Sequence, residues 1–199
     1  MINHIDQLDF NKKYTYADYL TWQLDEMVEL IHGSIFRRSP APGRTHQLVS
    51  SSLLKNIFSQ LKERQCQVFH APFDVRLPLP EQQQTAEKID TVVQPDICMI
   101  CDLAKLDERG CQGAPDWIIE ILSEGTAHKD LNDKFQLYEF AGVPNYWIVH
   151  PHEQTVLVYT LATNGKYQLL RQRPYAKGEQ IQVYFLEDFV LDLGEVFSQ

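Results

Sequence analysis

The chain has 199 residues, a net charge of −9, 44% hydrophobic residues and 23% charged residues. That length fits one domain over 1–199, with its core from about residue 14 onward, and the composition excludes extensive disorder. The acidic balance excludes a protein that coats nucleic acid through a broad basic surface, because phosphate contacts dominate such binding.

Met1 to Lys13 lacks the basic start and long apolar core of a signal peptide, so a cytoplasmic protein is expected. Thr15 to Leu24 predicts a short helix, with Thr15 as cap and Asp18 three residues on. Met27 to Ile31 and Ser34 to Arg38 predict a hairpin around His32-Gly33. Ser39 to Gly43 breaks the pattern, and Thr45 to Arg64 predicts the longest helix, with Leu53, Leu54, Ile57, Phe58 and Leu61 as its apolar stripe. Phe69, Ala71, Phe73, Val75 and Leu77 alternate as one strand, and Pro78 to Thr91 reads as a functional or mobile loop. Ile97 to Cys101 and Trp117 to Leu122 are apolar on both faces and predict central strands. Thr126 to Ala141 predicts a helix stopped by Gly142, with Leu131, Phe135 and Tyr138 as its core stripe. Tyr146 to Val149, Thr155 to Leu161, Tyr167 to Arg171 and Gln180 to Phe185 complete the strands. No apolar stretch approaches the ~20 residues of a membrane-spanning helix, so no membrane partner is expected.

Cys98 and Cys101 have a C-x-x-C spacing, with Cys111 ten residues beyond. Zinc needs four convergent ligands, yet strand residues three apart point to opposite faces, so buried, reduced thiols are expected. Arg37, Arg38 and Arg44 form one basic cluster and Arg171 and Arg173 another. A solvated face is the simpler reading of each, and a local basic cleft the alternative. Trp22, Trp117 and Trp147 are read as core residues, although such rings can stack on bases.

Asp96 opens one apolar strand and Glu120 interrupts another. An ionised group rarely sits there unless it is paired or holds a metal. If the strands are neighbours, both carboxylates converge at one sheet edge, where Mg²⁺ needs only one or two of them. On spacing alone, a turn cap at Asp96 and a buried ion pair at Glu120 explain the residues equally well. Lys134 borders the helix stripe, where it can pair with Asp130 or bring its ammonium towards the carboxylates. There it would stay charged and orient an attacking hydroxide or stabilise a pentavalent phosphate, rather than act as a base.

Several stretches together resemble the Uma-two (Uma-type) family of restriction-endonuclease-like bacterial proteins. They are Glu29-Leu30-Ile31-His32-Gly33, Ser39-Pro40-Ala41-Pro42 with His46, Gln94-Pro95-Asp96, Glu120-Ile121-Leu122-Ser123, and Asp130…Lys134…Tyr138…Ala141-Gly142-Val143-Pro144-Asn145-Tyr146-Trp147. The resemblance runs from about Tyr14 to the C-terminus and implies the PD-(D/E)XK nuclease superfamily. It therefore implies an α/β, restriction-endonuclease-like core with a mixed sheet flanked by helices. It also implies homodimers and Mg²⁺- (or Mn²⁺-) dependent hydrolysis of DNA phosphodiester bonds.

Carried over by position, Asp96 is the motif aspartate, Glu120 the second acid, and Ile121 lends its backbone carbonyl to the metal. Leu122 stands where the motif lysine is usual, and Lys134 resembles the family's relocated lysine. Glu29 is a further acid near the metal or a structural partner of an arginine. His46 is a phosphate contact, or else a cap or surface residue. The chain departs from the family pattern at Glu124-Gly125, where Pro-Ser is usual, and at His150, where an aspartate is common. The rival reading is a non-catalytic binding or assembly module of the same fold. Acidic charge and the displaced lysine suit it, whereas an idle buried carboxylate pair would be costly.

Overall fold

The computed structural model describes residues 2–37, 42–61, 65–78, 85–123 and 127–198, the side chains of 127–131 apart. In chain order it forms α1 (Tyr16–Tyr19), β1 (Val28–Ile31), β2 (Ser34–Arg37), α2 (Arg44–Gln60), β3 (Gln67–His70), β4 (Val75–Arg76), β5 (Val92–Val93) and β6 (Ile97–Ile100). There follow β7 (Leu106–Asp107), β8 (Gly110–Gln112), β9 (Trp117–Ile121), α3 (Ala127–Ala141), β10 (Asn145–His150), β11 (Thr155–Leu161), β12 (Tyr167–Leu169), β13 (Tyr175–Ala176), β14 (Gln180–Gln182), β15 (Val190–Asp192) and α4 (Leu193–Val196).

The central sheet has seven strands in the order β12-β11-β10-β9-β6-β3, with β13 also on β11. It is mixed: β9 and β10 run parallel across the α3 crossover, and the other pairs are antiparallel. As fully buried strands, β6 and β9 carry apolar residues on both faces, as expected of central strands. Against one face pack α2, α4 and the β14-β15 hairpin, through Val49, Leu53, Ile57, Leu191 and Val196 onto Ile97, Ile119 and Trp147. The other face carries α3 and a second, six-stranded sheet, β2-β1-β5-β4-β8-β7, with Leu137, Tyr138, Val75 and Val93 meeting Cys98, Ile118 and Ile148. The α+β mixed sheet flanked by helices is thus as expected.

Local signals explain several boundaries. Thr15 caps α1 reciprocally with Asp18, but the helix stops at Tyr19 instead of reaching Leu24. His32 and Gly33 both take positive φ, 50° and 74°, as the two-residue β1-β2 turn requires. Gly142, at φ 81°, ends α3. Phe58 departs from the predicted stripe and is exposed, while Val49 takes its place in the core. Trp117 and Trp147 are core residues as read from sequence.

The run Phe69 to Leu77 is not one strand. It divides into β3 in the central sheet and β4 in the second sheet, with Pro72, which has no N–H to give a ladder, at the crossing. The loop from Pro78 to Thr91 lies outside the described residues at 79–84. Two further sequence readings are corrected. Cys66 and Cys101 form a disulfide, so only Cys98 and Cys111 are buried free thiols. The β3-β6 register pairs Gln67 with Ile100, which sets Cys66 opposite Cys101 one step further out. Cys98 and Cys101 do face opposite sides of the sheet, the geometry that speaks against a shared zinc ion. The pairing also removes the cysteine argument for a reducing compartment. Arg171 and Arg173 build no cleft; both pair with Glu179. No described helix is long and apolar enough to cross a membrane.

Candidate active site

The β6-β9 register pairs Ile97 with Ile119, so Asp96 stands across from Glu120 where β6 begins. The two strands are neighbours, as the convergence argument requires. The Asp96 carboxylate accepts from the Ile121 N–H at 2.8 Å and lies 3.2 Å from His46 Nε2, all through Oδ2. An ionised carboxylate can only accept, so this contact places a proton on Nε2. Burial pushes the Asp96 carboxyl up, yet His46, the Ile121 N–H and Lys134 outweigh it, and the net shift is downward. Asp96 is therefore held as an anion.

Glu120 lies in the buried middle of the sheet and is 6% exposed. Its Oε1 accepts from Lys134 Nζ at 3.0 Å and from the Tyr138 hydroxyl at 2.7 Å. Lys134 and Tyr138 are one turn apart on α3, so both side chains project onto the same target. Burial raises the Glu120 carboxyl; Lys134 opposes the rise, and Asp96 and Glu29 add to it. Glu29 comes from β1 in the second sheet. Its Oε1 accepts from Lys134 Nζ at 3.1 Å and from the Gln94 N–H at 2.7 Å. Glu29 thus pairs with Lys134 and not with an arginine.

Four of the residues singled out from sequence therefore meet where the two sheets face each other, Asp96, Glu120, Lys134 and Glu29, and His46 reaches Asp96 from α2, which packs on the other face of the central sheet. His46 is a residue of the first turn of α2, whose cap position belongs to Gly43, and its contact is with Asp96. The side chain of Asp130, the surface partner considered for Lys134, lies outside the described residues, as does Glu124. Sequence reading assigned Tyr138 to the core only and gave Gln94 no role. The signal for Tyr138 was its four-residue spacing from Lys134.

The donors suit a hard divalent cation. Two facing carboxylates and the adjacent Ile121 backbone make an all-oxygen set, and Glu120 Oε2 accepts no hydrogen bond among the described residues. No trio of His, Cys, Asp or Glu able to hold a metal is gathered among the described residues. That excludes a dense ligand cage, whereas Mg²⁺ binds through one or two carboxylates plus water. The residues fit such a site.

No curated protein matches the chain. Among solved structures it is similar to a "putative nuclease belonging to DUF820" from Anabaena variabilis, at 22% identity and a TM-score of 0.69, over 93% of this chain and 98% of that one. At that identity the likeness carries the fold. The family model described as "Putative restriction endonuclease" matches residues 16–194. By that match, which spans the carboxylate cluster and nearly the whole chain, the protein belongs to the Uma2 family.

Proposed function

We propose that this protein is a divalent-metal-dependent endonuclease that hydrolyses DNA phosphodiester bonds. The observation that carries the reading is one ammonium, Lys134 Nζ, shared between Glu29 and Glu120 beside an anionic Asp96. A structural core gains little from so many buried charges, because apolar residues of similar volume would cost less. Membership of a family described as "Putative restriction endonuclease" supports the same chemistry.

In this reading Asp96, Glu120 and the Ile121 carbonyl would hold Mg²⁺ or Mn²⁺, which would supply a water of lowered pKa and neutralise charge on the phosphate. Lys134 donates to both Glu29 and Glu120, so its role is to orient the nucleophile or meet the charge on the transition-state phosphate and not to abstract a proton. Glu29 holds Lys134 in place. His46 fixes one Asp96 oxygen through Nε2, and its Nδ1 is buried, so it positions the carboxylate and does not itself meet a phosphate. Cutting both strands of a duplex calls for two such sites, which a homodimer supplies.

The test is cleavage of supercoiled plasmid with millimolar Mg²⁺ or Mn²⁺. Wild type is expected to nick or linearise it, and Asp96→Asn or Glu120→Gln to reduce the rate by at least about 100-fold. Equal rates for wild type and both variants, or no cutting by wild type, overturn the reading.

A further inference from the structure

Beyond the carboxylate cluster, a cavity of about 620 Å³ opens between the edge of the central sheet at β3 and the β7-β8 hairpin. Its lining includes Tyr19, Phe69, Phe73, Asp74, Gln94 and Arg109. Phe69 and Phe73 lie stacked, ring centroids 4.0 Å apart and planes within 8°. Across the lining, Asp74 Oδ1 accepts from Gln94 Nε2 at 2.9 Å and from the Tyr19 hydroxyl at 3.4 Å. Asp74 Oδ2 accepts nothing among the described residues. Gln94 is 6% exposed, and its Oε1 is buried and has no hydrogen-bond partner among the described residues. Asp107, the neighbouring acid, is already taken by the buried Arg76 at 2.7 Å and by the Arg109 N–H.

Asp74 Oδ2 therefore offers the wall an open acceptor, beside a flat aromatic platform. A bare cation would satisfy that acceptor, with Asp107 and Glu108 on the same lining beside Arg109, but it would leave the aromatic platform without a partner. A planar ring with hydrogen-bond donors on its edge satisfies both the platform and the acceptor, and Arg109 on the same lining offsets part of the charge that Asp107 and Glu108 set against the phosphate such a ring carries. Gly110 keeps the floor closed: at φ 126° its backbone runs so near that an added Cβ would overlap the Asp74 carbonyl oxygen. Gln94 ties the cavity to the cluster already described, because its N–H donates to Glu29 and Asp96 follows two residues later.

We propose that this cavity is a subsite for one unstacked nucleobase of the substrate strand, with guanine preferred. Its ring packs beside Phe69 and Phe73, and its N1–H and N2 amino group meet Asp74. A carboxylate accepts from base amino groups, and aromatic side chains stack on extruded bases. Thymine is disfavoured, since carbonyl oxygens flank its one ring N–H and would face the carboxylate. The proposal rests on the nuclease reading for its substrate, and the two can fail separately.

The probes are oligo-dT 12-mers carrying one central dG, inosine or dT, with binding read by fluorescence anisotropy in EDTA. Wild type is expected to bind the dG strand about tenfold more tightly than the inosine strand, which lacks only the amino group, and than the dT strand. Asp74→Asn is expected to erase that preference, and Phe73→Ala to weaken every strand by about tenfold. Equal affinity of wild type for dG and inosine strands overturns the proposal, and needs no variant to fold. The same strands with Mn²⁺ separate the two readings. Binding with the dG preference but no cutting keeps the subsite and sinks the nuclease; cutting without base preference, unchanged in Asp74→Asn, does the reverse.

Discussion

Lys134 carries more than one duty, and the geometry changes what its removal should do. If Lys134 served only the reaction, replacing it would cost activity and leave folding intact. In the structure its ammonium is the shared partner of two buried carboxylates, so truncation strands both. Lys134→Met should cost about 3–5 kcal/mol in urea unfolding, and a second change, Glu120→Gln, should restore part of it. A loss under about 1 kcal/mol would show that the cluster is hydrated and its charges independent. Tyr138→Phe removes only the hydroxyl on Glu120 and should cost about 1–3 kcal/mol while keeping the fold, checked by the same unfolding series. An exposed ion network gives the contrasting case. Arg171 and Arg173 hold the Glu179 carboxyl well below the usual range. A depressed carboxyl contributes stability that is complete above its unfolded value, near 4.5, and is lost as pH falls through the folded one. Glu179→Gln should therefore be less stable than wild type at neutral pH, with the melting-temperature gap closing in strong acid. A gap independent of pH would assign the effect to packing.

At the level of elements, the β3-β6 pair is fastened twice, by its ladder and by Cys66–Cys101. The bridge closes a sequence separation of 35 residues, so chain entropy assigns it about 4 kcal/mol. Cys66→Ser should lower stability by about 2–4 kcal/mol in non-reducing buffer. Thiol counting provides an independent check. Burial pushes the Cys111 thiol up to about 11 and Cys98 higher still, so neither should react in the native protein. Two thiols should appear on denaturation without reductant and four with it; four in both would contradict the pairing.

The disulfide also shows where sequence reading stops. Periodicity identified β6 and β9 as buried central strands, and carboxylates at their ends marked the cluster, because a charge in an apolar run is conspicuous in a sequence. Which strands lie side by side depends on non-local pairing, so the partner of Cys66 was not legible. For the same reason the alternation from Phe69 to Leu77 hid a change of sheet at Pro72. Short strands such as Val92–Val93 carry too few residues to show a period at all.

For the whole molecule, two sheets face each other and the ionic cluster sits between them: Glu29 from one, Asp96 and Glu120 from the other, and Lys134 from α3 joining them. Residues so far apart in sequence were legible as candidates through residue type and family resemblance, while their convergence required the fold. The acidic net charge speaks against a protein that coats nucleic acid over a broad surface. A divalent-metal site at this cluster is what the proposed chemistry requires. Calorimetric titration of Mn²⁺ into wild type and into the Asp96→Asn/Glu120→Gln double variant tests it most directly. Saturable binding to wild type is expected at micromolar to millimolar concentrations, lost in the variant although its circular dichroism is unchanged. No binding to wild type, or equal binding to both, would contradict it.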